Sequence, residues 1–132
     1  MSMFEVFSLF LIFQLKHFVA DYLLQAPFYD FMKGKFERNG WVIPLASHAG
    51  IHSILTMVIC MVYTKDFLLS VCLALLDGII HFVVDRVKAS PNMLGRYKIE
   101  QPAFWISLGG DQMAHHLTHY LIIFFIWYKM TL

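Results

Sequence analysis

Four long apolar stretches run along the chain, at about residues 4–25, 44–63, 67–87 and 105–128, with polar segments between them. A membrane-crossing helix needs roughly 20 mainly apolar residues, and each stretch meets that length. Prolines punctuate the pattern. Pro27 closes the first stretch, Pro44 sits at the tolerated first turn of the second, and Pro91 follows the third. The start of the fourth is open: Gly109-Gly110 can break it, with Asp111 then serving as a cap for the helix beyond. The short "TKD" turn between the second and third stretches makes them antiparallel neighbours. The pattern therefore predicts an all-α chain: a single domain over residues 1–132, a polytopic membrane protein built as an antiparallel bundle of four transmembrane helices.

The polar residues inside the stretches have a period of their own. The first carries His17, Asp21 and Gln25; the second, His48 and His52; the third, Asp77, His81 and Asp85; the fourth, Asp111, His115 and His119. Every His and Asp of the spans except His116 has another four positions away. Residues four apart share one face of a helix, so each helix carries one polar stripe. At 1.5 Å rise per residue, the stripes lie roughly 3–18 Å from the span ends that carry the long loops, in one common layer.

Composition supports the membrane reading. Hydrophobic residues make up 59% and charged residues 14% of the 132, against roughly 25% charged in a soluble domain. The net charge of +1 gives no reason to expect a nucleic-acid partner. Cys60 and Cys72 lie in apolar runs and read as small hydrophobes rather than a disulfide. The N-terminal "MSMFEVFSLF" has neither a basic leader nor a cleavage site, so it is not read as a removable signal. Lys33, Lys35, Arg38, Arg86, Lys88, Arg96 and Lys98 flank one side of the bundle, and Lys65 and Lys129 the other. The positive-inside rule then places both long loops in the cytoplasm and both termini outside. Trp41, Tyr97, Trp105 and Trp127 are candidate interface anchors, and the aromatic, basic loop "FYDFMKGKFERNGW" suits the inner leaflet surface.

Energetics defines what the polar layer must contain. An unpaired Asp in mid-membrane costs roughly 2.5–3.5 kcal/mol, so Asp21, Asp77, Asp85 and Asp111 together cost on the order of 10 kcal/mol. Lys16 and Arg86 can offset part of this. A divalent transition metal, zinc foremost and manganese or iron as alternatives, offsets the rest with imidazoles as ligands. The candidate ligands are His17, Asp21, His48, His52, His81, Asp85, Asp111 and His115, the acids acting either directly or by holding imidazole tautomers. Asp77 is the candidate general base. His119 and the off-lattice His116 are read first as structural hydrogen-bonding groups, as a lone intramembrane histidine usually is, and a wholly structural His–Asp network is the competing account of the set. Gln14, Gln25 and Gln112 read as hydrogen-bonding glue.

Taken in order, "HFVADYLLQ", "SHAGIHS", "HFVVDRVK" and "DQMAHHLTH" resemble the small bacterial and phage integral-membrane family catalogued as domain of unknown function 3307, over nearly the whole chain. The resemblance implies a multi-span inner-membrane protein and no settled activity. Asp77 and His119 extend the pattern beyond the family's motifs. By analogy, the polar pattern is also similar to membrane-bound metal-dependent hydrolases induced in the bacterial DNA-damage response.

Three functions fit these residues. The first is a metal-dependent hydrolase acting on a lipid- or polyprenyl-phosphate at the inner leaflet, since the layer lies beneath seven cations. The second is a non-enzymatic metal carrier, sensor or structural membrane partner, for which a homo-oligomer suits so small a chain. The third is a b-type haem protein with two facing histidines, which the acids argue against because a porphyrin face wants apolar walls.

Overall fold

The computed structural model describes residues 1–132 and contains helices and no strand. The first helix, α1 (Met3–Phe18), begins at a capping box. The Ser2 hydroxyl accepts from the Glu5 amide at 3.3 Å, and the Glu5 carboxylate accepts from the Ser2 amide at 2.6 Å. The helix then widens into one π turn, Val19–Leu23, in which the Leu24 amide reaches the Val19 carbonyl at 2.9 Å. After Pro27 come a short α2 (Tyr29–Met32) and irregular turns up to α3 (Val42–Thr64). Lys65, in the left-handed region at φ 52°, ends α3. Asp66 caps α4 (Phe67–Ala89) by accepting from the Leu69 amide at 3.0 Å. That amide, and Lys129 at 3.0 Å, hold the Asp66 carboxyl below its ordinary pKa. In the loop that follows, Gly95 lies where a side chain would collide with the carbonyl oxygens of Ala89 and Ser90, so only glycine fits.

The last helix, α5 (Pro102–Thr131), runs unbroken through Gly109-Gly110. The alternative in which Asp111 caps a shorter helix is not adopted. Pro102 at the first turn already starts the helix, and Asp111 is held inside it. The segments Met3–Phe36, Val42–Thr64 and Phe67–Arg96 are long and apolar enough to cross a membrane. The fourth helix, 30 residues long, has the length but is diluted by Asp111, Gln112 and three histidines.

The stripes turn inward. On α1 the buried positions run Leu9, Phe13, His17; on α3, Cys60, Thr56, His52, His48; on α4, Leu73, Asp77, His81, Asp85; on α5, Ile123, His119, His115, Asp111. Each series has a spacing of four and changes from apolar to polar along the bundle. At one end, Leu9, Phe13, Cys60, Leu73, Ile122, Ile123 and Ile126 form an apolar core. At the other end the interior is polar. Half of the 28 buried residues are polar or charged, while Phe7, Leu11, Ile54, Val58, Leu75, Ile79, Leu117 and Phe124 face outward. A water-soluble domain has the reverse arrangement.

Two contacts identify the ends. Lys129 pairs with Asp66 beside the apolar core. Arg86, in the last turn of α4, donates to the main-chain oxygens of Lys35 (3.2 Å) and Glu37 (3.4 Å), tying the end of α4 to the first long loop at the polar end. Helices α3 and α4 approach closely through small residues: a Cβ at Gly78 would lie 3.1 Å from that of Ser53, whose hydroxyl donates to the Ala74 carbonyl at 2.7 Å.

Candidate metal centre

The four polar stripes converge. The His17 ring lies at the hub, its centroid 5.4 Å from those of His52, His115 and His119 and 5.7 Å from His81. His81 is sandwiched between His52, at 3.7 Å, and His115, at 4.0 Å. His48 joins through His52, at 4.7 Å. No local signal in the chain specifies this three-ring stack. It comes from α3, α4 and α5 placing one imidazole each at the same height.

Four carboxylates surround the rings. Asp21 Oδ1 lies 3.0 Å from His52 Nε2 and 3.5 Å from His48 Nε2, with Oδ2 3.1 Å from His17 Nε2. The π turn presents Asp21, and such turns are frequent at functional sites. Asp85 lies 3.0 Å from His48 and 3.1 Å from His115. Asp77 has no exposed surface; one of its oxygens takes both the Lys16 ammonium and the Thr56 hydroxyl, and the other faces His81 and His119. Asp111 accepts from Lys88 at 2.7 Å.

The cations are distributed differently from the sequence expectation. Lys16 does offset an acid, Asp77. Arg86 does not: its guanidinium stacks on Trp41 at 3.9 Å and its donors go to loop carbonyls. Lys88, one residue before the end of α4 at Ala89, supplies the second charge, to Asp111. Asp21 and Asp85 are left with imidazoles alone, a deficit equal to the charge of one divalent cation.

Hydrogen bonding shows where lone pairs remain. His81 Nδ1 lies 3.0 Å from the Asp77 main-chain carbonyl. That oxygen only accepts, so the proton sits on Nδ1 and Nε2 is left as a bare, buried lone pair with no partner. His52 and His115 each direct Nε2 to a carboxylate and leave Nδ1 buried and unpartnered. His119 Nδ1, both nitrogens of His17 and one oxygen each of Asp77 and Asp111 are likewise buried without a hydrogen bond. An unmet buried polar group costs roughly 1–3 kcal/mol, and a metal ion satisfies several at once. A carboxylate on one imidazole nitrogen with the other free is the usual outer-shell arrangement of a histidine metal ligand.

Four sets of side chains can hold an ion, their ligand atoms all within 4.8 Å of one another: His17, His81 and His119; His17, Asp21 and His52; His52, Asp77 and His81; and Asp85, Asp111 and His115. Seven of the eight expected ligands fall in these sets. His48 falls in none, and both its nitrogens are engaged, Nε2 with Asp85 and Nδ1 with the Gln25 amide at 3.1 Å. His119, read first as structural, belongs to a set; its place four residues from His115 was the available signal. His116 lies at the edge, its Nδ1 3.0 Å from the Gln14 amide. Cys60 and Cys72 are both free.

A polar opening of about 300 Å³ leads to this centre from the loop end, lined among others by Asp21, Gln25, Lys35, Asp85, Lys88 and Asp111. Asp77 does not reach it.

The profile of the family described as "Protein of unknown function (DUF3307)" matches residues 9–132, and the chain belongs to that family. No curated protein and no solved structure matches it.

Proposed function

We propose that this chain is an integral membrane protein whose buried His–Asp centre holds a divalent transition metal, zinc foremost, and hydrolyses the phosphate ester of a membrane lipid or polyprenyl phosphate at the cytoplasmic leaflet. The observation that carries the proposal is the stack of His52, His81 and His115, each anchored through one nitrogen and bare at the other, beside two carboxylates with no lysine partner. The apolar exterior supports the bilayer setting.

His17, His52, His81 and Asp21 hold the metal in this reading, with His119 adjoining. Bound there, a divalent metal polarises a phosphoryl oxygen and brings the pKa of water toward neutrality. Lys35 and Lys88 at the opening attract and orient a phosphate. His48, fixed by Gln25, steadies Asp85. The general-base role expected of Asp77 fits Asp85 better, because Asp85 lines the opening whereas Asp77 is enclosed and held by Lys16.

The test is elemental analysis of the purified protein together with phosphate release from dioleoyl phosphatidic acid. The expected result is bound metal, and release that strong chelators stop and one metal restores. Release indifferent to chelation overturns the proposal. Bound metal without turnover, with metal transport into liposomes, transfers it to the carrier class.

Membrane orientation is tested separately. In a background with Cys60 and Cys72 replaced by serine, Lys35→Cys is expected to react with an impermeant maleimide from the cytoplasm and Lys65→Cys from the periplasm. Labelling of position 35 from the periplasm reverses the topology and removes the inner-leaflet substrate.

A further inference from the structure

An apolar groove of about 510 Å³ runs between α4 and α5 at the loop end, walled by Val83, Val87, Leu94, Tyr97 and Ile106 with Gly110 in its α5 wall. The volume lies within the roughly 300–1,000 Å³ of small-ligand sites. Two of its lining residues, Lys88 and Asp111, also line the polar opening to the His–Asp centre. The two cavities therefore meet at one ion pair, with hydrocarbon surface on one side and carboxylates, imidazoles and a second lysine on the other.

Gly110 bears on what the groove is for. A Cβ there would meet no atom within 4 Å, so neither packing nor a turn demands glycine. Mid-helix glycine costs about 1 kcal/mol relative to alanine. What the missing side chain does is keep the groove open. Gly109, beside it, is equally free of neighbours but does not line the groove.

We infer that the α4–α5 groove binds the hydrocarbon chain of the lipid phosphate, with Lys88 at the junction holding the phosphate against the His–Asp centre. The occupant is an amphiphile, because the apolar trough ends on the Lys88–Asp111 pair and opens there onto the polar cavity that holds Lys35, which matches a hydrocarbon tail ending in an anion. Lys88 is only partly exposed, its side chain at 31%, and it lines both the groove and the polar opening. The inference rests on the lipid-phosphate reading above and adds the site that distinguishes a lipid from a water-soluble phosphate ester.

The experiment measures retention of dioleoyl phosphatidic acid by the purified protein in phosphatidylcholine nanodiscs, by native mass spectrometry. Phosphate release from the same lipid and from glycerol 3-phosphate is followed in parallel. Gly110→Leu, which fills the groove, is expected to reduce retention and lipid hydrolysis at least about tenfold, equivalent to about 1.4 kcal/mol. Metal content and glycerol 3-phosphate hydrolysis are expected to stay at wild-type levels. Ala103→Leu, on another part of the same wall, is expected to act in the same direction, and Gly109→Leu to have no effect. Wild-type retention by Gly110→Leu and Ala103→Leu overturns the inference, as does an equal loss in Gly109→Leu. Retention that depends on Gly110 without phosphate release from either ester upholds the groove and overturns the hydrolase reading instead.

Discussion

Stripping divalent metal from the purified protein is expected to lower its melting temperature by several degrees, with one metal restoring it better than others. Removal leaves Asp21 and Asp85 within 3.5 Å of one shared imidazole, His48, and with no lysine to balance them. It also leaves the bare nitrogens of His52, His81 and His115 facing a closed interior. Carboxylates and imidazoles must then take up protons or move apart, and packing loosens. The reverse step, a ligand at a thousandfold excess over its Kd, stabilises the native state by roughly 4 kcal/mol. His81→Ala is expected to abolish the response to metal, since His81 is the middle ring of the stack and belongs to two of the four ligand sets. His116→Ala is expected to keep it, because His116 bonds to Gln14 at the periphery. Melting curves with and without chelator, recorded on both variants, decide the matter. A protein that purifies metal-free and melts identically under strong chelation is a hydrogen-bonded network, with its histidines serving packing specificity.

Lys16→Met is expected to destabilise the fold by about 3–5 kcal/mol, the usual cost of leaving one partner of a buried ion pair alone. Lys16 is 5% exposed and Asp77 not at all, and nothing else cationic reaches Asp77. Thr56 and the two histidines remain as neighbours, and none carries a fixed charge. Asp77→Asn in the same chain is expected to recover much of the loss, because the amide removes the unbalanced charge while keeping the shape. Denaturation of the two single variants and the double variant in detergent forms a complete cycle. If Lys16→Met melts as wild type, the pair does not hold the centre of the bundle. If the double variant is no better than the single, the loss comes from packing of the buried lysine stem rather than from charge.

The chain by itself determined the helices and their inward faces. Apolar runs of membrane length and a four-residue recurrence of His and Asp are local properties, and a helix converts that recurrence into a stripe whatever its neighbours are. The common depth of the stripes followed from counting residues. Tertiary structure decided the partners. The pairing of Lys88 with Asp111, the turning of Arg86 onto Trp41 and the saturation of His48 by Gln25 and Asp85 depend on helix rotation and on loops that fold back. A rotation of one residue, about 100°, would exchange these contacts without altering the four-residue period. The π turn that presents Asp21 has no compositional mark, since it widens the backbone of an ordinary helical stretch. Gly109 and Gly110 are identical as letters. One faces the α4–α5 groove and the other does not, and only the placement of a second helix makes that difference.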